Sequence, residues 1–428
     1  MMKVLGIIAE YNPFHYGHLY HLNRSKREVE ADYTVAVMSG QFTQRGEAAI
    51  ADKWIRAEAA VGCGVDLVLE LPAVYAVQTA EVFAHGGVQL LNKTGLITHI
   101  SFGSEIGDLT LLQQIADILI TEDEQYKALL KRYLAQGLSY PAARYRAILD
   151  YFNSTNRAAE KQNHKDNIAV VKKALTLSNS ILAIEYLKAL KLTHSNILPL
   201  TIPRIRSSYS NQRIKKGITS AASIRREILK NGMSDLVRYA LPETVFNILS
   251  DAFNKGMGPV TNNRLEDLFL GILRRSSLSD IASWMDVGEG LENRIREQAH
   301  RAASLDDFLS LVKTRRYTHT RLQRILIHGL LNLTTKEFRY MNSETGPAYL
   351  RILAFSKKAA PLLRKLKETA AVPIITKAAH ITRYNRYVQK MFAYDCLATD
   401  LYSLAVLNPL GRQGNRDFTR QLKPLVRS

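Results

Sequence analysis

The sequence predicts an α/β protein: a Rossmann-like, doubly wound parallel sheet at the start of the chain, followed by a mainly α-helical region. Two observations carry this. Over the first hundred residues, short β-branched apolar runs alternate with segments of helical period, the pattern of repeated βαβ units. Beyond about residue 235 the strand signals fade, and helical periods rich in Lys and Arg take over.

The elements follow in order. Val4 to Ala9 reads as a buried strand, broken by Asn12-Pro13-Phe14. A helix is expected from about Gly17 to Glu30, then a second strand from Tyr33 to Met38. Strand, helix and strand in that order imply a parallel pair with a right-handed crossover. Ala48 to Val61 reads as a helix, and Asp66 to Leu71 as a third strand closed by Pro72. Thr79 to Asn92 reads as another helix, and Thr98 to Gly103 as a fourth strand. From Leu109 the period is helical, with Leu111, Leu112, Ile115 and Ile118 on one face, which predicts a helical insertion over about 109–165. Within it, Asn153 to Asn167 is polar and reads as a loop or an exposed helix start. Ser180 to Leu190 is a helix, Ile197 to Ile202 a β-rich run, and another helix begins near Thr219. The expected division is one domain over 1–235 and a basic, mainly helical one over 236–428, with β-like interruptions such as Tyr349 to Phe355.

The chain has 428 residues, 46% hydrophobic and 23% charged, which excludes a disordered chain. Lys and Arg number 58 against 39 Asp and Glu, a net charge of +19. Residues 1–110 hold 8 basic and 12 acidic groups, net −4, so the remainder carries 50 against 27, net +23. An excess of that size favours a polyanionic partner for the later part of the chain. Cys63 and Cys396 stand alone, which excludes a disulfide framework or a Cys-based zinc site, and no protein metal site is expected. The apolar run at the start is ended by Glu10 and is too short for a signal segment. The run from Val61 to Val77 is broken by Asp66, Glu70 and Pro72, which excludes a membrane span there. A soluble cytoplasmic protein is expected.

The chemistry sits in the turn after the first strand, Glu10-Tyr11-Asn12-Pro13-Phe14-His15-Tyr16-Gly17-His18. Its core is H-x-G-H. Histidines at i and i+3 in the first turn of a helix lie on one side. Gly17 lets a ligand approach the backbone, and the helix start offers free N–H groups to an anion. In an open parallel sheet this turn lies at the carboxyl edge of the strands, where ligands bind. Imidazoles there can donate to a triphosphate and stabilise charge as pyrophosphate leaves.

This block resembles the H-x-G-H nucleotidyltransferase superfamily, and more closely the bacterial tRNA(Met) cytidine acetate ligase family. Ser39-Gly40-Gln41-Phe42-Thr43-Gln44-Arg45-Gly46-Glu47, Asp52-Lys53-Trp54-Ile55-Arg56 and Gly64 to Pro72 extend the resemblance. It implies that acetate attacks the α-phosphate of ATP, giving acetyl-adenylate and pyrophosphate. N4 of the wobble cytidine of elongator tRNA(Met) then takes the acetyl group, giving N4-acetylcytidine and AMP. His15, His18 and Arg225 would be catalytic. ATP would lie along Ile7, Ile8, Ala9, Glu10, Tyr11, Asn12, Pro13, Phe14, His15, Tyr16, Gly17 and His18, with Gly103, Asn179, Arg204 and Ile205 as further contacts. Mg²⁺ would arrive with the ATP phosphates.

The resemblance also implies a second phosphate element after the last strand, a Ser/Thr-rich helix start ending in Arg, which here is Ile218-Thr219-Ser220-Ala221-Ala222-Ser223-Ile224-Arg225. Hydroxyls and N–H groups at a helix start suit phosphate oxygens, and Arg225 can bridge them, so Ser220 and Ser223 join the ATP set. Arg45 and Lys53 are candidates for acetate or phosphate, although Asp52 and Arg56 also have the spacing of a plain helix ion pair. His21 and His85 read as structural or exposed. Basic residues interleave with aromatics at Arg315, Arg316, Arg321 and Arg324 and again at Arg383 and Arg386, a pattern suited to RNA phosphates and unpaired bases. The alternatives are a small-molecule adenylyltransferase, which would not need the basic extension, and a non-catalytic RNA-binding protein with a nucleotide fold.

Overall fold

The computed structural model describes residues 2–155, 161–204, 220–343 and 346–425. Ile205 lies outside them. The first half runs β1 (Val4–Ala9), α1 (Tyr16–Val29), β2 (Tyr33–Ser39), α2 (Lys53–Gly62), β3 (Leu67–Leu71), α3 (Ala73–Ala76), α4 (Ala80–Lys93) and β4 (His99–Ser104). Four helices follow: α5 (Leu109–Thr121), α6 (Glu124–Ala135), α7 (Tyr140–Thr155) and α8 (Lys161–Thr176). Then come α9 (Ser178–Leu192), β5 (Leu198–Pro203) and α10 (Ala221–Asn231).

The strand order β5-β4-β1-β2-β3 is parallel throughout and reverses direction at β1, so the topological switch point lies between β1 and β4. Both faces of the sheet are covered. Val35, Val37, Leu67 and Leu69 face one core, together with α4, α5 and α9, while the intervening Ala36, Met38 and Val68 face the other, with α1, α2 and α10. Period-2 alternation into two buried faces is what near-continuous apolar strands produce.

The second half is helical: α11 (Asp235–Ala240), α12 (Glu243–Asn254), α13 (Glu266–Arg275), α14 (Leu278–Ser283), α15 (Leu291–Arg301), α16 (Leu305–Val312), α17 (His319–Leu331) and α18 (Thr335–Asn342). It then returns to the sheet. β6 (Leu350–Ser356) pairs antiparallel with β3, at Val68 opposite Ala354 and Glu70 opposite Arg351. After α19 (Ala360–Thr369), β7 (Ile374–Ile375) lies parallel to the start of β6. Helices α20 (Arg386–Ser403) and α21 (Arg416–Thr419) lead to β8 (Pro424–Leu425), parallel to the end of β6.

Three local expectations change. The helix expected from Ala48 starts only at Lys53, because Asp52 caps it by accepting from the N–H groups of Trp54 and Ile55; Ala48 to Ala51 form a buried irregular segment. The polar stretch from Asn153 is helical at both ends of its described part. The β-like stretch near residue 350 is a full sheet strand, so the sheet runs across the expected boundary at 235.

Candidate active site

β1 ends at Ala9, and Tyr11 turns the chain with a left-handed backbone, φ 47°. His15 is the N-cap of α1, with extended backbone angles. Its Nδ1 accepts from the N–H of Gly17 at 2.9 Å, and its own N–H donates to Nδ1 of His18 at 3.3 Å. This is a capping box built from two imidazoles in place of a hydroxyl and a carboxylate. With Nδ1 accepting in both rings, each imidazole is neutral and carries its proton on Nε2. Neither Nε2 has a protein partner among the described residues. Tyr11 packs on Phe14 and on the edge of His18, with centroids 4.8 and 5.1 Å apart, which fixes the His18 ring.

Electrostatics keep these rings neutral. Burial, and then the Arg204 guanidinium, lower His15 to about 3 and His21 to about 4. Burial, His15 and Arg204 hold His18 well below the ordinary histidine range. Arg204 reaches the site from the end of β5, where its N–H donates to the Ser104 carbonyl at 3.0 Å. Its side chain lies over Gly103, where a Cβ would stand 3.3 Å from the Arg204 Cγ, so the glycine lets that side chain lie close against the end of β4. The histidine turn, Gly103 and Arg204 thus meet at the switch point.

The second motif arrives at the same place. Ser220 caps α10 by accepting from the Ser223 N–H at 3.2 Å, and the two hydroxyls lie 2.9 Å apart. From the next turn Arg225 crosses to the first motif. Its Nη1 donates to the Asn12 carbonyl at 2.9 Å, and its Nη2 donates to Glu47 Oε2 at 2.9 Å. Arg225 thus ties the start of α10 to the turn that carries both histidines, bringing together two helix starts and a guanidinium of the kind that suits phosphate oxygens.

Beneath it, Arg56 is 1% exposed and clamps the strand ends. It donates to the carbonyls of Glu10 at 2.6 Å, Ser39 at 3.1 Å, Ala51 at 3.0 Å, and Gly40. Glu10 Oε1 accepts from the Gln44 N–H at 2.7 Å, and burial raises the pKa of this carboxyl despite that bond.

A family model of the HIGH nucleotidyl transferases matches residues 2–417. The chain is 42% identical over 419 residues to a tRNA(Met) cytidine acetate ligase of Alkaliphilus metalliredigens, covering 97% of each chain. It is 39% identical to the protein of that name from Halothermothrix orenii, over 100% of both. The crystal structure of Thermotoga maritima TmcAL bound with alpha-thio ATP superposes with a TM-score of 0.90 at 35% identity, covering 99% of each chain. This chain belongs to the tRNA(Met) cytidine acetate ligase family. The apo form of the same Thermotoga maritima protein matches with a TM-score of 0.92.

Within this family member, some residues singled out in the sequence lie elsewhere. Lys53 is fully buried: its Nζ lies 2.8 Å from Glu70 Oε1 and 2.8 Å from Asp417 Oδ1, so it has no free donor face for acetate or phosphate. Arg351 completes that cluster, with Nη2 2.7 Å from Asp417 and Nε 3.3 Å from Glu70. Asp52 caps α2 and pairs with Arg416 at 2.9 Å, and Arg56 binds carbonyls, so the i,i+4 ion pair does not form. Arg45 is exposed at the tip of its loop. Asn179 lies at the start of α9, but its Nδ2 donates to Glu105 Oε1 at 2.7 Å.

Glu105 itself carries no sequence signal beyond following the fourth strand. It caps α9 through the N–H groups of Asn179 and Ser180 and the Ser180 hydroxyl. Burial opposes its ionisation, yet those hydrogen bonds outweigh it and lower the pKa. Among the basic candidates, Arg315, Arg316, Arg383 and Arg386 are exposed. Arg324 is buried against Asp286 at 2.7 Å, and Arg316 and Arg321 share Glu289 at 3.0 and 3.6 Å. Glu47 stands out in the sequence only as part of a motif; its pairing with Arg225 joins residues 178 apart in sequence.

Proposed function

We propose that this protein joins acetate to N4 of the wobble cytidine of elongator tRNA(Met) at the expense of ATP. The observation that carries the reading is the meeting of the two motifs, with Arg225 bonded to the Asn12 carbonyl inside the H-x-G-H turn. The family membership and the ATP analogue in the Thermotoga maritima relative support it.

The triphosphate lies over the starts of α1 and α10, with Mg²⁺ accompanying it as part of the substrate. An acetate oxygen attacks the α-phosphorus and pyrophosphate leaves. His15 and His18 donate from Nε2 to oxygens gaining charge, and Arg225 adds a fixed positive charge. Neutral imidazoles suit this role, because each offers one oriented donor without the desolvation cost of a buried cation. The cytidine N4 then attacks the acetyl carbon, the bond to AMP breaks, and N4 gives up one proton. The backbone at Gly103 and the side chains of Arg204, Ser220 and Ser223 would hold the nucleotide. The exposed Arg315, Arg316, Arg383 and Arg386 on the helical half would meet tRNA phosphates. No helix among the described residues is long and apolar enough to cross a membrane, and a cytoplasmic location follows from a tRNA substrate.

Incubation with ATP, radiolabelled acetate and total bacterial tRNA tests this. ATP-dependent label in tRNA is expected. ATP turnover that ignores acetate and leaves tRNA unlabelled would overturn it.

A further inference from the structure

Glu47 sits beside an anion cradle, where a carboxylate opposes phosphate binding. Its surroundings explain why it is there. The loop from Gln41 to Ala48 closes on itself through the Phe42–Ala48 bridge. The Thr43 N–H and hydroxyl both donate to the Glu47 carbonyl, at 2.8 and 3.2 Å, and the Gly46 N–H donates to the Thr43 carbonyl at 3.0 Å. Asn262, from the helical half, grips both flanks of Glu47: its Nδ2 donates to the Gly46 carbonyl at 2.9 Å, and its Oδ1 accepts from the Ala48 N–H at 2.7 Å. Gly46 has φ 78°, and a Cβ there would stand 2.4 Å from the Gln323 backbone of α17. Only glycine fits, and the loop is pressed against α17.

The Glu47 backbone is therefore held from both sides, while its half-exposed carboxylate reaches Arg225. Arg225 is tied at two nitrogens, by the Asn12 carbonyl and by Glu47, each at 2.9 Å. Two anchors fix the plane of a guanidinium, where one leaves it free to swing. Among the described residues, the Nε proton and the second proton of each terminal nitrogen have no protein partner and are open to an anion.

We propose that Glu47 is a positioning residue for Arg225, and that the helical half sets Glu47 through Asn262. The inference rests on the acetate-activating reading above, with Arg225 acting on the leaving phosphates. It makes a specific demand: loss of Glu47 removes alignment but also removes a repulsive charge. Turnover should fall while apparent ATP affinity holds or improves, whereas a merely collapsed site would lose both.

The test is acetate-dependent exchange of labelled pyrophosphate into ATP, measured on the full chain. Glu47→Gln is expected to lower kcat by about 10–100-fold, the scale of a small misplacement of a catalytic group, with ATP KM unchanged or lower. Glu47→Asp should recover part of the loss, and Asn262→Ala, which leaves the carboxylate in place, should lower kcat in the same sense. An unchanged kcat in Glu47→Gln, a loss carried by a higher ATP KM, or no advantage of Asp over Gln would overturn the proposal. Absence of exchange in the unmutated protein would instead overturn the acetate-activating reading.

Discussion

His15 and His18 stack with ring centroids 3.9 Å apart and 28° between their planes, and each accepts a backbone N–H at Nδ1. The cap therefore serves two ends: it starts α1, and it sets which nitrogen of each ring carries a proton. The two roles separate by substitution. His15→Asn keeps an N-cap acceptor but lacks the Nε2 donor. It should retain stability to within about 1 kcal/mol, the usual worth of a cap, while losing acetyl-adenylate formation. His18→Ala should lose that activity too and keep tRNA binding. Thermal melting and pyrophosphate exchange read the two effects, and a His15→Asn enzyme with normal exchange would remove His15 from the chemistry.

Acid should loosen the fold around this turn. His15 is lowered to about 3 and His21 to about 4, so between these values and the ordinary histidine pKa the unfolded chain binds protons that the folded chain refuses. Their contribution is present above that ordinary value and is lost as pH falls towards 4. Asp395 acts in the opposite sense, because burial and then Glu70 raise it to about 7, so the folded chain holds its proton longer. Melting temperature followed from pH 7 to pH 4 should show His21→Gln flattening the decline and Asp395→Asn steepening it. A reversed order of the two slopes would refute the assignment.

The buried charges about Lys53 should govern stability rather than acetate binding. Asp417→Ala leaves Glu70 as the ion-pair partner that Lys53 and Arg351 share among the described residues, and a cost of about 3–5 kcal/mol is expected in urea unfolding. Lys53→Met should likewise weaken the fold, yet leave acetate KM unchanged in the folded fraction. A large rise in acetate KM without destabilisation would return Lys53 to the binding site.

On the helical half, the proposed tRNA contacts Arg383 and Arg386 are exposed, whereas Arg324 is buried. Charge reversal at Arg383 and Arg386 should weaken tRNA binding across sequences. It should also reduce the slope of log affinity against log salt by about 1 for each phosphate no longer neutralised. Arg324→Ala should instead lower melting temperature with little change in that slope, since its guanidinium is spent on Asp286. Filter binding over a salt series distinguishes the two.

Much of the sheet was legible because its information is local. β1 to β4 follow from apolar runs of strand length, and the H-x-G-H turn from its place after the first of them. What local spacing does not carry is which distant segment neutralises which charge. Lys53 reads as a free cation until Asp417 is brought 2.8 Å away, and Arg324 reads as an RNA contact until Asp286 covers it. The same holds for β6: a β-like run is visible at Tyr349 to Phe355, but nothing near it announces that the strand, Leu350–Ser356, has an antiparallel partner in β3.

That pairing has a consequence for synthesis. Until Ile352 and its neighbours leave the ribosome, the outer side of β3 is an unpaired strand edge, open to intermolecular pairing. The roughly 280 residues between the partners occupy on the order of 15–60 s of translation at common elongation rates. The growing chain thus spends most of its synthesis with an adhesive edge and with Lys53 lacking Asp417 and Arg351. A nascent-chain chaperone has its longest opportunity there, and slow codons between α4 and β6 would lengthen the hazard.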